Sequence, residues 1–358
     1  MRVGTITFHA SYNFGSALQA YALQQVFIKM GHDTEIIDYL SHDQEQYELF
    51  SLRHPRRTLR VLRHLQSNVR RKRSFEAFTA KWLKLTSKRY TWANEAAMSE
   101  LQDQFDCFVC GSDQIWNLDC TQGVVEPFFL SFAGDKRRVA YAPSIAHTSF
   151  RPENFDRAKV GALLNCFDSL SVREEDTLPL YQLLTTKPID VVLDPTLLLG
   201  ADAYEAMACK PVVDGAYIFV YLLRQCPELV SSAKAMAEKT GLKVVYVADG
   251  TLDIPGGVNM KGFGPDGFLS LISHASIVLA NSFHAAVFSV LFHKPFRSYA
   301  TDKSASRMRG LLNELGIGER CVSSVDASPI QDVDWGNVER RLDALRKHSY
   351  AYLTEALS

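Results

Sequence analysis

Two hydrophobic periods alternate along this chain. Short apolar runs rich in β-branched residues are each followed by a stretch with apolar residues at helical spacing. "RVGTITF" (2–8) predicts a strand. "GSALQAYALQQVFIKMG" follows as a helix with Leu18, Tyr21, Ala22, Gln25 and Val26 at helical intervals, and "DTEIIDYL" predicts the next strand. A strand, a helix and a strand in that order imply a parallel sheet. "FDCFVCGSDQIWN", "RRVAYAPSIA", "FDSLSVREED" and "IDVVLDPTLLL" each begin as strands and end in polar residues. A second series starts near Ala216: "AYIFVYLL", a helix ending at Gly241, "LKVVYVAD", the helix "PDGFLSLISHA", the strand "SIVLANS" and the helix "HAAVFSVLFHK". The predicted fold class is therefore α/β, with two doubly wound domains in tandem. Residues 1–205 form the first, with a basic helical insertion around 50–85, and 206–330 form the second. The amphipathic segment 331–358 is expected to pack back on the first domain. Open α/β sheets bind ligands beyond the carboxyl ends of their strands, so the two domains are expected to face a cleft that holds the site.

Length, composition and charge narrow the function. A chain of 358 residues suits two domains, and 47% hydrophobic with 22% charged residues is ordinary for a globular protein. The net charge of −1 argues against nucleic acid as a partner. The N-terminus runs straight into a strand without the apolar core of a leader, and no apolar stretch approaches about 20 residues, so the expected compartment is the cytoplasm. The seven cysteines are odd in number and scattered; Cys107 and Cys110 lie inside a predicted strand and read as buried thiols, not a redox or zinc pair. The histidines show no metal-ligand spacing such as HxxxH, so no metal and no bound cofactor is expected. One segment, 53–73, is strongly basic. It reads either as a patch for anionic lipid or acidic glycan, the former giving peripheral association at the inner membrane face, or as a solvated helical insertion whose Leu59, Val61, Leu62 and Leu65 pack on the domain. The second is favoured, because charge runs usually face water.

Candidate site residues cluster at predicted strand ends. Asn13 and Gly15 open the first helix, where amides are available to an anion and glycine lets a ligand approach, although a capped turn explains them equally well. In "GSDQIWN", Ser112, Asp113, Gln114 and Asn117 put polar groups beside the Trp116 indole, a surface suited to a sugar ring; the alternative is a loop with Asp113 as cap and Trp116 in the core. Arg173 follows a strand and offers a fork for carboxylate or phosphate, or pairs with Glu174 or Asp176 on the surface. His147, Lys303, Arg307 and Arg309 could reach the same end. His284 stands where the strand "SIVLANS" turns into a helix, a position at which open sheets keep their chemistry. One histidine, several arginines and a polar, aromatic wall suit transfer from an anionic donor to a hydroxyl.

The segments "NFGSALQAYAL", "FVCGSDQIWN", "SVREEDT", "DPTLLL" and "NSFHAAVFSVLFHKPF" come in the order and spacing of the polysaccharide pyruvyl transferase family, and the chain resembles it from about residue 3 to 315, outside the basic insertion. The resemblance implies two Rossmann-like domains similar to GT-B glycosyltransferases. It also implies transfer of the enolpyruvyl group of phosphoenolpyruvate to two sugar hydroxyls as a cyclic ketal, on a cell-surface polysaccharide or its lipid-linked precursor. Phosphoenolpyruvate is then a co-substrate. His284 matches the catalytic histidine and Arg173 a donor-binding arginine. Members often read Arg-Leu-His where this chain has Ser282-Phe283-His284; Ser282 thus replaces a second donor arginine, and either Arg307 supplies that charge from the neighbouring loop or the donor differs. A GT-B glycosyltransferase using a nucleotide sugar, and a catalytically silent glycan-binding relative, are the alternatives.

Overall fold

The computed structural model describes residues 1–42, 65–145, 156–208, 210–300 and 305–358. Two compact units divide the chain. The first comprises Met1–Glu48, Ala77–Leu199 and Ala344–Ser358; the second comprises Leu49–Glu76 and Gly200–Asp343.

In the first unit, β1 (Arg2–Ile6), β2 (Asp33–Ile36), β5 (Cys107–Cys110), β6 (Arg137–Ala140), β7 (Ser169–Val172) and β8 (Ile189–Val191) form a parallel sheet in the order β2-β1-β5-β6-β7-β8. A separate parallel pair joins β3 (Tyr39–Leu40) to β4 (Tyr90–Thr91). Val3, Ile6 and all four residues of β5 are buried, as expected of a parallel sheet covered on both faces. Both β5 cysteines are among them: burial pushes the Cys107 thiol up to about 12 and the Cys110 thiol well above its ordinary value. The core beneath combines Phe8, Phe108, Phe128, Phe129 and Trp116.

The second unit holds β9 (Tyr217–Tyr221), β10 (Lys243–Val247), β11 (Val258–Asn259), β12 (Ile277–Ala280), β13 (Phe296–Tyr299) and β14 (Cys321–Val322), parallel and ordered β11-β10-β9-β12-β13-β14. Its helices begin and end on local signals: Pro265 opens Pro265–Ser273, and Gly241, at φ 71°, closes Pro227–Thr240 in the left-handed conformation. Strand order reverses between β1 and β5 in the first sheet and between β9 and β12 in the second. These switch points are where doubly wound sheets take ligands.

Two assignments differ from the sequence reading. The break between domains falls at Leu199/Gly200, and the insertion groups with the second unit as far as Glu76. The helix Leu65–Trp82 explains why: the Arg70 guanidinium lies 4.8 Å from the Phe263 ring centre, and Ser74 Oγ donates to Gly262 O at 3.3 Å. Leu65 is exposed, and Phe75 and Phe78 supply the buried face instead; Leu59, Val61 and Leu62 lie outside the described residues. The C-terminal helix Trp335–Ala356 packs on the first unit through its second half. There Ser349 Oγ accepts from Leu193 N at 3.0 Å, and Tyr352 and Tyr350 donate to Ala140 O and Leu198 O.

Candidate active site

In the first unit, the loops after β1 and β5 are sewn together by a glutamine. Gln19, fully buried on the first helix, donates through Nε2 to Thr7 Oγ1 (2.9 Å) and Ser16 O (2.9 Å), and accepts through Oε1 from Ser112 N (3.1 Å). Thr7 Oγ1 in turn donates to Ser112 O at 3.0 Å, and Ser16 Oγ donates to Asp113 Oδ2. Ser112 Oγ donates to Ala142 O at 2.8 Å. Gly111 is required here: its φ is 118°, and a Cβ would lie 2.0 Å from Tyr141 O. Asn13 caps the helix Phe14–Lys29, its side chain accepting from Gly15 N at 2.9 Å.

The sugar-facing surface expected around Trp116 is corrected by these positions. Trp116 is buried, stacks on Phe129 with ring centres 5.1 Å apart, meets Phe167 and Tyr181, and donates its indole N–H to Phe128 O at 3.0 Å. Both its faces and its polar atom belong to the core. Asn117 caps the short helix Leu118–Thr121 and bonds Gln114 Oε1 at 2.8 Å. Ser112, Asp113 and Asn117 are buried and Gln114 is half-buried at this strand end; His147 lies outside the described residues.

Arg173 lies just beyond β7, and its side chain is buried. Nε bonds Glu174 Oε1 at 2.9 Å and Nη1 bonds Asp194 Oδ2 at 2.6 Å. Burial alone would disfavour its charge, but Glu174, Asp194 and Asp113 outweigh that and raise its pKa. The surface partner weighed for it, Asp176, gives way to Asp194, which also caps Pro195–Leu198 through Thr196 N (3.0 Å). This accounts for the aspartate of "DPTLLL": it holds a helix start and an arginine at once.

Beside β1 is a cluster that the sequence analysis missed. His9 Nε2 lies 3.1 Å from Asp38 Oδ1, and Arg89 Nε donates to Asp38 Oδ2 at 2.9 Å. Burial pushes the Asp38 carboxyl up, yet the bonds and charges of His9 and Arg89 prevail and hold it below its ordinary value.

In the second unit, Asn281 brackets the switch point. Its N–H donates to Tyr221 O (3.2 Å), its Oδ1 accepts from Leu223 N (2.7 Å) and its Nδ2 donates to Arg224 O (2.7 Å). Two residues later the helix Phe283–Leu291 starts. Its cap residue, Ser282, makes no side-chain capping bond, unlike Asn13. His284 is buried in the first turn of this helix, with the Phe283 ring edge-on to it at 5.3 Å. Arg307 is half-buried in the first turn of Ala305–Glu314, which follows β13, the neighbour of β12; Arg309 is exposed, and Lys303 lies outside the described residues. Tyr221, the last residue of β9, is buried against Phe268 (5.2 Å between ring centres). Burial pushes its hydroxyl up to about 12, against the opposing charge of Arg71. Arg71 itself, on the helix Leu65–Trp82, is half-buried. Among the described residues, no group of three or more His, Cys, Asp or Glu is placed to hold a metal ion.

The family model for polysaccharide pyruvyl transferase matches residues 13–303. The chain belongs to that family. No curated protein matches it in sequence. Among solved structures, the UDP-GlcNAc 2-epimerase of Neisseria meningitidis bound to UDP-GlcNAc is similar over 99% of this chain and 94% of its own, at 11% identity and a TM-score of 0.53. The S. aureus MnaA–UDP co-structure is similar over 99% and 91%, at 12% identity and a TM-score of 0.51. At such identities the likeness shows the fold alone: this member of the pyruvyl transferase family is built from two Rossmann-like domains of the GT-B class.

Proposed function

We propose that the protein is a ketal-forming pyruvyl transferase. It moves the enolpyruvyl group of phosphoenolpyruvate onto two hydroxyls of one sugar, in a cell-surface polysaccharide or its lipid-linked precursor. The observation that carries this reading is His284, buried in the first turn of a helix at the second switch point of a chain that belongs to this family. In the reaction the donor methylene carbon takes a proton and becomes the methyl group. One sugar hydroxyl adds to the adjacent carbon, the bond from that carbon to the phosphate oxygen breaks, and the second hydroxyl closes the ketal. Of the two hydroxyl protons released, one balances the methyl group and the other leaves with phosphate. An imidazole can deliver the first proton and accept the next. The start of the helix Phe283–Leu291, with no side-chain cap from Ser282, offers amides to the donor's anionic groups. The resemblance also assigns the donor to Arg173, although its Nε and Nη1 already face Glu174 and Asp194, and Arg307 is a candidate for further charge. The protein would act in the cytoplasm, at the inner membrane face where the acceptor is lipid-linked.

The deciding assay incubates the purified protein with phosphoenolpyruvate and a panel of oligosaccharides, following phosphate release and product mass. A mass gain matching one ketal-linked pyruvate with equimolar phosphate is expected. Release of a nucleoside diphosphate from a nucleotide sugar instead would make it a glycosyltransferase. Glycan binding without turnover of either donor would make it a lectin-like relative.

A further inference from the structure

The Asp113 carboxylate caps no helix and forms no salt bridge among the described residues, yet its place is closely fixed. It follows β5, in the loop that Gln19, Thr7 and Ser16 fasten to the loop after β1. The segment after β6 pins its backbone from the other side: Ser144 N donates to Asp113 O at 2.8 Å, and Asp113 bridges Pro143. Asp113 is buried but retains 6% exposure. One carboxylate oxygen, Oδ2, accepts from Ser16 Oγ; the other, Oδ1, has no hydrogen-bond partner among the described residues. A carboxylate this enclosed is costly unless something meets its second oxygen. Its backbone is costly too. φ at Asp113 is 66°, a left-handed conformation that glycine adopts freely and L residues avoid. Gln122 and Leu130 take it to end short helices, whereas Asp113 ends none. Strain kept at a strand end, where glycine would relieve it, points to a side chain retained for its chemistry. In the adjoining loop after β1, Ser11 is likewise buried with its hydroxyl unbonded among the described residues.

We infer that Asp113 binds a hydroxyl of the sugar acceptor through Oδ1, and that Ser16 is the positioning residue that holds the carboxylate by its other oxygen. This rests on the reading of the acceptor as a glycan. A carboxylate accepts from a sugar O–H in a charge-assisted bond and can donate nothing, so it selects a free hydroxyl over an alkylated one. In the motif "GSDQIWN" the sugar contact then belongs to the aspartate, while the indole belongs to the core.

The test is saturation-transfer NMR titration of the full-length protein without donor, with the methyl glycosides of galactose, glucose, mannose and N-acetylglucosamine as probes. Wild type, Asp113→Gly and Ser16→Ala are compared, with thermal melts and phosphoenolpyruvate calorimetry of each. Wild type is expected to bind at least one glycoside and not its per-O-methylated form. Asp113→Gly should weaken that binding roughly tenfold to a hundredfold, leave phosphoenolpyruvate affinity unchanged, and keep the melting midpoint, because glycine suits the backbone there. Ser16→Ala should weaken glycoside binding by less, again with phosphoenolpyruvate affinity unchanged. Unchanged glycoside binding in Asp113→Gly, an equal loss of phosphoenolpyruvate affinity, equal binding of the per-O-methylated form, or no glycoside bound by wild type overturns the assignment. Should Asp113→Gly lower the midpoint, Asp113→Asn decides, since asparagine keeps the shape and tolerates the left-handed backbone: weakened binding at the wild-type midpoint sustains the assignment, and full binding overturns it. Asp113-dependent glycoside binding by a protein that does not turn over phosphoenolpyruvate leaves the assignment standing and removes pyruvyl transfer.

Discussion

His284 enters its helix one residue after Phe283, buried at the carboxyl end of β12; as the proposed acid and base, its loss should cost chemistry more than folding. Replacing it with alanine is expected to lower the rate of phosphate release by on the order of 10²–10⁴, with circular dichroism unchanged. A variant that turns over at the wild-type rate would make it a packing residue. Arg173 has the opposite balance. Truncation to alanine strands Glu174 and Asp194 in the interior, and a buried pair broken on one side costs about 3–5 kcal/mol. Urea denaturation should show that loss, and a cost under about 1 kcal/mol would mean that the carboxylates find other partners. At this scale sequence reading was uneven for a physical reason. A strand-to-helix junction is a local pattern, so the place of His284 was legible. Trp116 was not, because an indole beside Ser, Asp, Gln and Asn reads alike whether it faces water or core. Its deciding neighbours, Phe129, Phe167 and Tyr181, are distant in sequence. Gln19 and Asp194 escaped for the same reason: a buried polar side chain is recognised by partners that only the fold supplies.

Between elements, the His9–Asp38–Arg89 cluster ties the loop after β1 to the segments that follow β2 and precede β4. Its electrostatics have a definite sign. The native Asp38 carboxyl is held below its ordinary value, so the unfolded chain binds its proton more readily than the folded one. The stabilisation is fully present above the unfolded value of about 4 and is lost as pH falls through the lower native value. Asp38→Asn should therefore destabilise the protein most above about pH 5, and the gap to wild type should close towards pH 3 in parallel denaturation series. A gap independent of pH would assign the cost to packing. The elements themselves were largely legible: β-branched runs, an asparagine cap at Asn13 and a glycine stop at Gly241 are local instructions. Strand order was not, since reversal at β1/β5 and β9/β12 is set by how helices cover the two faces.

For the whole molecule, the two-domain α/β plan could be read from the restart of the strand–helix series near Ala216, whereas the grouping of the insertion could not. That depends on Arg70 and Ser74 meeting a loop at 262–264, far away in the chain. No helix among the described residues is long and apolar enough to cross a membrane. The cysteines give each unit a clock of its own. Cys107 and Cys110 lie on β5, between β1 and β6, with no exposed surface and thiols that resist ionisation, and Cys226 is buried in the second unit. Cys166 is exposed. With a thiol-modifying reagent and residue-resolved mass spectrometry, Cys166 should label at once. Cys107 and Cys110 should label last and at one shared rate, because neither can react until their strand leaves the sheet, and that rate should rise with urea as the opened population grows. Different rates for the two would mean that β5 frays from one end. The lag of Cys226 relative to that pair reads out whether the two units open in one event or in two.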